Sequence, residues 1–200
     1  MSLVLEFVSC VVKNLVNVPE DVMDGWVQNP KALQDSLTNA LCPPKKEPEL
    51  LRLLKSVVVS GATKFVAKDR LRSCNVGWTG HNFKKLFLEK VEENVPEAKL
   101  AVSWLERNSF DVPILTELGD KAEVKLSYLF DLLAKQSNGE DGVLLTNGCA
   151  NIFYVCGVDG NIWPVDAFWY SDVHSWFVEA CSVELLDRWN GGFQIFFRYF

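Results

Sequence analysis

Hydrophobic and polar positions alternate most clearly in the last third of the chain, from Gly142 to Phe200. The runs there are rich in β-branched and aromatic residues, which is typical of strands. Asn147-Gly148 and Asp159-Gly160 lie between such runs and are typical of two-residue hairpin turns, in which both central residues need a positive φ. The pattern therefore predicts an antiparallel β-meander over residues 142–200.

The predicted turns determine which residues lie opposite each other. A two-residue turn at Asp159-Gly160 places Ile152 opposite Ala167, and a four-residue turn from Ser171 to His174 places Asp166 opposite Glu179. In this register one face of the sheet carries no charge, so we expect it to form the core. This predicted core face comprises Val143, Leu145, Ala150, Ile152, Tyr154, Cys156, Trp163, Val165, Ala167, Trp169, Trp176, Val178 and Ala180.

The opposite face of the predicted sheet mixes charged and aromatic residues, so we expect any partner or substrate to bind there. This predicted open face comprises Asn151, Phe153, Val155, Pro164, Asp166, Phe168, Tyr170, Phe177 and Glu179.

The final strand alternates between an apolar set of residues and a set that contains Arg198. Because an unpaired arginine is costly to bury, we expect Phe193, Ile195, Phe197 and Tyr199 to join the predicted core face. The same reasoning predicts antiparallel pairing of this strand with residues 176–183, with Arg198 opposite Glu179.

The N-terminal residues show the apolar spacing of helices, over Leu3 to Val16 and again from Asn29-Pro30 to Leu41. Asn29 is a typical capping residue, and Pro30 suits the first helical position. Residues Cys42 to Pro48 are charged and rich in proline, which predicts a linker. We therefore expect an N-terminal helical segment over 1–42 and a second domain over 49–200.

Within the second domain, the pattern predicts a strand over Val112 to Leu118 and an amphipathic helix over Leu126 to Gln136 that covers the predicted core face. Strands and helices do not alternate regularly, and the sheet signals are hairpins. These features favour an α+β fold, with the C-terminal β-meander packed against helices, over a doubly wound one.

Composition narrows the possible partners. The chain has 200 residues with 20 basic and 26 acidic side chains, a net charge of -6, so a nucleic acid is not an expected partner. No stretch is apolar enough over about 18 residues to span a membrane. The N-terminal apolar run lacks a basic start and is a poor signal peptide.

The six cysteines are scattered without a CxxC pair, which indicates reduced thiols and a cytoplasmic location. Cys156, Cys181 and His174 match no zinc-ligand spacing, so we expect no metal site. The sequence contains no phosphate loop or dinucleotide fingerprint, and we expect no cofactor.

Three C-terminal segments share one motif pattern: GEDGVLLTNGCANIFYVCGVDG (139–160), WFVEACSV (176–183) and the terminal FFRYF. They resemble the pattern GVLLTNGxANIFYV followed by WxVxAxSV, which occurs in a group of bacterial proteins known from candidate-phyla genomes. NPKALQ, TKFVAKD and residues 82–88 are similar too, so the resemblance covers most of the chain. The group has no established activity, so the resemblance implies kinship without a mechanism. Its pattern has tryptophan at the position of Cys149 and no fixed acid at that of Glu179.

Two pairs of residues are candidates for catalysis. Cys149 and His174 would lie near each other as a nucleophile and base, although a part-buried thiol and a surface turn histidine are the simpler explanation. Asp166 and Glu179 would face each other at about the 5–5.5 Å carboxyl separation of retaining glycosidases, although two acids on a wet face give the same pattern.

We therefore expect the protein to bind another macromolecule, either another protein or a second copy of itself. The expected binding residues are Phe153, Phe168, Tyr170, Phe177 and Arg198. The alternative is a small hydrolase whose site on the open face uses the Cys149/His174 pair or the Asp166/Glu179 pair. A pocket at either pair would favour the hydrolase, whereas a flat aromatic patch would favour binding.

Overall fold

The computed structural model describes residues 6, 9, 13, 19–41, 49–182 and 188–199. The chain divides into two compact units, residues 1–47 and 48–200. In the first unit, helix α1 spans Glu20–Gln28 and helix α2 spans Pro30–Leu41. The Asn29 side chain accepts a hydrogen bond from the backbone N–H of Ala32, as expected of a capping residue. The predicted linker at 42–48 and most of the predicted helix at 3–16 lie outside the described residues.

The second unit is an α+β fold, as the sequence predicts. Its strands are β1 Leu51–Val59, β2 Ala62–Val66, β3 Val76–Thr79, β4 Val91–Val95, β5 Ala98–Leu105, β6 Glu123–Val124, β7 Asn151–Cys156, β8 Ile162–Tyr170, β9 Ser175–Ala180 and β10 Gln194–Arg198. Its helices are α3 His81–Leu86, α4 Asp111–Leu118 and α5 Leu126–Lys135.

Eight strands form one mixed sheet in the order β1-β5-β10-β7-β8-β9-β3, and β6 pairs with β7. Strands β2 and β4 form a separate two-stranded sheet. The C-terminal strands β7, β8 and β9 are antiparallel neighbours, as expected of the predicted meander. Strand β3 extends this run because it pairs in parallel with β9.

Each face of the large sheet has its own apolar core. On the inner face, Phe153, Val165 and Trp176 pack with helix α5, whose Leu126, Leu129 and Leu133 are fully buried. On the outer face, Ile152, Tyr154 and Ile195 pack with helix α4 through Ile114 and Leu118. The sheet is therefore covered on both sides, although α4 is the shorter cover.

The β8–β9 register agrees with the prediction, whereas the β7–β8 register differs by one residue. Asp166 lies opposite Glu179 and Tyr170 opposite Ser175, but Ile152 lies opposite Asp166 instead of Ala167. The cause is a three-residue loop, closed by a hydrogen bond from Gly157 N–H to the Asn161 carbonyl, with Gly160 at φ 80°. Because side chains alternate along a strand, the shift puts every β7 side chain on the face opposite to the predicted one.

No hairpin forms at Asn147-Gly148, which corrects the first predicted turn. Gly148 has φ 85°, but Asn147 has no positive φ, and the Asn147 side chain instead accepts a hydrogen bond from Cys149 N–H. The side-chain amides of Gln136 and Asn151 replace strand pairing for the residues before this turn. Gln136 Oε1 accepts from the N–H groups of Val143 and Leu144, and Asn151 Oδ1 accepts from Leu145 N–H.

The last strand does not pair with β9, so the predicted contact of Arg198 with Glu179 is wrong. Strand β10 lies between β5, with which it is antiparallel, and β7, with which it is parallel. Arg198 lies opposite Leu100 and donates a hydrogen bond to the Asp120 carbonyl. The prediction that the set containing Ile195 joins the core face with Val165 and Trp176 is also wrong, because Ile195 packs in the outer core and Phe196 of the other set packs in the inner core. Both sets meet apolar surroundings, so the pattern does not distinguish the two faces.

Residues 112–118, predicted as a strand, lie in helix α4, which spans Asp111–Leu118. Their apolar positions fit either structure over so short a run, and the helix packs its Ile114 and Leu118 against the sheet. The predicted helix over 126–136 is confirmed as α5.

Candidate functional site

Two carboxylates meet on the outer face of the sheet at a position that the sequence predicts. Asp166 of β8 and Glu179 of β9 are directly opposed, and both side chains line a cavity of about 230 Å³. This cavity, called the acid pocket below, is lined by Asp111, Asp166, Glu179, Cys181, Ser182, Arg188, Trp189 and Phe193. The pocket lies beside the first turn of helix α4, at the edge of the area of the outer face that this helix covers.

Asp166 is buried but incompletely hydrogen-bonded. Its side chain belongs to a residue that is only 6% exposed, and its Oδ1 atom has no hydrogen-bond partner among the described residues. Burial, and secondly the negative charge of Glu179, raises the pKa of Asp166 to about 7. This side chain therefore exchanges a proton near neutral pH, which is unusual for a carboxyl group.

The backbone of β3 and α3 holds Glu179 in place. The chain turns at Gly80, whose N–H donates to the Val178 carbonyl, and a Cβ at Gly80 would lie 3.0 Å from the Glu179 Cγ atom. Asn82 at the start of α3 donates to the Ala180 carbonyl at 3.1 Å. The close approach at Gly80 limits the directions in which Glu179 can move.

The third carboxyl group of the pocket, Asp111, is provided by the first turn of helix α4. Its Oδ1 atom accepts hydrogen bonds from the Tyr154 hydroxyl at 2.8 Å and from the Trp189 indole N–H at 2.7 Å. Burial raises the pKa of Asp111 above its ordinary value, although these two donors act in the opposite direction. Burial, followed by the charge of Asp111, likewise raises the pKa of Tyr154. Asp111 thus fixes the orientation of Trp189 in the pocket wall.

Arg188 is the basic residue of the pocket wall. Its guanidinium group lies over the Phe110 ring, 4.8 Å from the ring centroid, which is a cation–π contact. The charged group that acts on the pKa of Asp166 is Glu179 and not Arg188. The contact that the structure gives for the Arg188 guanidinium is therefore with the Phe110 ring, and not with Asp166 or Glu179.

Four aromatic side chains continue the outer face beyond the acid pocket. Phe168 lies opposite Phe177, one step along the side-chain alternation from Asp166 and Glu179, and their ring centroids are 5.6 Å apart. Trp78 stacks on Phe177 at 5.6 Å, and Tyr170 contacts it at 5.1 Å. Trp78 is 42% exposed and Tyr170 is 43% exposed. This cluster of Trp78, Phe168, Tyr170 and Phe177 is called the aromatic platform below.

Three of the five expected binding residues lie in the platform, and two do not. Phe168, Tyr170 and Phe177 are together on the outer face, but Phe153 is fully buried on the inner face, stacked on Phe196 at 4.3 Å. Phe153 is displaced because the one-residue shift of β7 reverses its face. Arg198 lies on β10 and not in the predicted row with Glu179, because β10 pairs with β5 and β7.

The candidate nucleophile and base are not joined in the structure. Cys149 lies before β7 and is half-buried, whereas His174 lies in the exposed β8–β9 turn. No hydrogen bond connects them among the described residues. His174 has φ 49°, and its carbonyl accepts a hydrogen bond from Asn75, so it completes the turn.

Asp111, Arg188, Trp189 and Trp78 belong to the site but were absent from the sequence-based candidates. Because residues 112–118 were predicted to form a strand, Asp111 was not recognised as part of a first helical turn. An acidic residue followed by Pro113 is a signal for a first helical turn and could have indicated α4. Trp78 is brought to the platform by the parallel β3–β9 pairing, for which the sequence carries no local signal.

Comparison of the chain with protein-family models, curated protein sequences and solved structures gives no match. In the described part of the chain, no group of three or more His, Cys, Asp or Glu side chains is arranged to hold a metal ion. No helix among the described residues is long and apolar enough to cross a membrane.

Proposed function

We propose that this protein is an interaction module that binds another protein through the outer face of its sheet. The observation that carries the proposal is the continuity of the acid pocket with the aromatic platform along β8 and β9. Exposed aromatic side chains are enriched in protein interfaces, and a neighbouring pocket can receive an anchoring side chain. Net charge -6 opposes binding to nucleic acid.

The chemistry of the cysteines supports an action in the cytoplasm. Cys74, Cys149, Cys156 and Cys181 are not part of a disulfide bond. Reduced thiols persist in the cytosol, where disulfides are rare. A cytoplasmic bacterial protein is accordingly the partner class that we propose.

Affinity capture with the full chain tests the proposal. Wild type, Trp78→Ser and Tyr170→Ser would be compared as baits in a lysate of the source organism, with capture quantified by mass spectrometry. Val158→Ser is the matched control, because Val158 is a 62% exposed apolar residue in the β7–β8 loop. We expect one protein to be captured by wild type and by the control, and its captured amount to be at least tenfold lower with each platform variant. The same protein, once purified, should bind the wild-type chain.

Equal capture by all four baits would contradict the proposal. Sedimentation of the purified chain is the second arm of the experiment. A dimer that dissociates in the Trp78→Ser variant would identify the partner as a second copy of this chain.

The Asp166–Glu179 pair also supports a second candidate function, hydrolysis. Opposed residues on neighbouring strands have Cβ atoms about 5 Å apart, similar to the carboxyl separation of about 5–5.5 Å in retaining glycosidases. Asp166, with its pKa raised to about 7, could donate a proton while Glu179 carries the negative charge. The platform would then stack against sugar rings.

A panel of aryl glycosides tests this candidate. If the protein is a hydrolase, wild type should hydrolyse one or more of these glycosides. The rate should fall at least about a hundredfold in both Asp166→Asn and Glu179→Gln. Wild-type rates no higher than those of Asp166→Asn across the panel would contradict it.

A further inference from the structure

Among the described residues, no positively charged side chain is paired with the central carboxyl groups of the acid pocket, Asp166 and Glu179. Three carboxyl side chains line it, and Arg188 is the basic side chain among its described lining residues. Arg188 is engaged with the Phe110 ring, and Asp111 already accepts two hydrogen bonds. Asp166 and Glu179 remain opposed, and the buried Oδ1 of Asp166 has no donor among the described residues. A buried polar atom without a partner is a cost that a bound donor would remove.

We infer that the acid pocket binds a cationic side chain, lysine or arginine, presented by the partner protein. The inference rests on the proposed function and names the chemistry that the site would recognise. An ammonium or guanidinium group between Asp166 and Glu179 would donate hydrogen bonds to both carboxylates and cancel their repulsion.

The size of the pocket agrees with one side chain. A volume of about 230 Å³ is smaller than the roughly 300–1,000 Å³ of pockets that enclose whole drug-sized ligands. The main chain that carries the cation must therefore lie outside, and the platform provides the adjoining surface. Trp189 and Phe193 in the pocket wall can contact the methylene groups of a lysine or arginine.

Binding should be coupled to the protonation of Asp166, because a cation favours the ionised form. Among the described residues, the other charged or titratable groups facing the pocket are Asp111 of α4, Glu179 of β9, and Cys181 and Arg188 of the chain that follows β9. Strand β7 contributes the uncharged Ile152 opposite Asp166. With a pKa of about 7, Asp166 is ionised in about a tenth of molecules at pH 6 and about nine-tenths at pH 8. We therefore expect the affinity for a cation to increase about tenfold over that range.

A titration with n-butylammonium chloride tests the inference on the intact chain. The readout is the NMR signal of the Trp189 indole N–H, which lies in the pocket wall. n-Butanol and sodium chloride at equal ionic strength are the ligand controls. We expect a dissociation constant on the order of millimolar, about tenfold tighter at pH 8 than at pH 6.

Three variants separate the pocket from general charge effects. Asp166→Asn should remove the pH dependence and weaken binding about tenfold or more. Asp172→Asn removes one exposed charge from the β8–β9 turn outside the pocket and should leave binding unchanged. Trp78→Ser should weaken the acetylated tripeptide amide Phe-Lys-Phe but not n-butylammonium, because only the peptide reaches the platform.

No shift of the indole signal at about 50 mM ligand, or equal shifts with n-butanol, would overturn the inference. An equal affinity in wild type and Asp166→Asn would also overturn it. These failures differ from failure of the proposed function. Platform-dependent capture without cation binding refutes only the pocket chemistry, whereas cation binding with capture insensitive to Trp78→Ser refutes the interaction module.

Discussion

Two carboxyl groups that are equally buried, one hydrogen-bonded within the fold and one in the acid pocket, differ in the direction of their pKa shifts. Glu92 and Asp166 are each 6% exposed. Burial opposes the charge of Glu92, but hydrogen bonds from Ser127 N–H, Lys90 and Leu126 N–H outweigh it, so its pKa is lowered. Asp166 faces Glu179 instead, and its pKa is raised. Glu92 accepts hydrogen bonds from the start of helix α5, whereas the buried Oδ1 atom of Asp166 has no partner among the described residues.

The substitution Asp166→Asn should therefore stabilise the protein at neutral and higher pH. The folded-state pKa of Asp166 is about 7, above the ordinary aspartate value of 3.8, so its contribution to stability is complete below pH 3.8 and is lost as the pH rises through 7. Relative to wild type, the variant should gain up to about 4 kcal/mol in free energy of unfolding from low to high pH. Urea denaturation of both proteins at a series of pH values measures this difference in free energy of unfolding.

Asp172→Asn is the control for this measurement, because it removes the same charge from an exposed position. If the free energy of unfolding of both variants changes with pH as that of wild type does, the pKa of Asp166 is not raised in the folded protein. If Asp166→Asn is more stable than wild type but no longer binds n-butylammonium, the carboxyl group is retained for binding at a cost in stability.

At the scale of elements, side-chain amides hold the segment that precedes β7. Asn151 is fully buried, and its Nδ2 donates to the carbonyls of Leu145 at 3.1 Å and Ala167 at 3.0 Å. Its Oδ1 accepts from Leu145 N–H at 2.8 Å. One amide group therefore satisfies the backbone on both sides of β7, in place of a hairpin partner strand.

Asn151→Ala should lower the free energy of unfolding by about 2–5 kcal/mol, because it leaves three backbone groups without partners. Asn147→Ala is the matched control: Asn147 makes a single hydrogen bond at an exposed turn, and we expect a loss below about 1 kcal/mol. Equal and small losses in chemical denaturation would show that the segment is held by other contacts.

These elements also show how much could be predicted from sequence. The four-residue turn from Ser171 to His174 places Asp166 opposite Glu179, as predicted, because only local chemistry is involved. Asp159-Gly160 suits either a two-residue or a three-residue loop, and glycine at positive φ fits both, so the register of β7 could not be fixed. The position of β10 between β5 and β7 depends on pairings distant in sequence, which local patterns do not specify.

At the scale of the second unit, the two faces of one sheet serve different purposes. The inner face is closed by helix α5 and carries the large core. The outer face is covered by α4 near β7 and β10, while the outer surface of β8, β9 and β3 carries the acid pocket and the platform. A binding surface on a rigid sheet keeps its side chains in place before a partner arrives, which reduces the entropy lost on binding.

Asp166 is a buried carboxyl group whose pKa is raised and whose Oδ1 atom has no hydrogen-bond partner among the described residues. An NMR titration of its side-chain carboxyl carbon measures this directly, with Asp166→Asn assigning the signal. We expect a midpoint at about pH 7, shifting to lower pH when n-butylammonium is added. A midpoint near 3.8, the ordinary value for an aspartate, would contradict this description of Asp166, since it would show that the folded protein already compensates the charge.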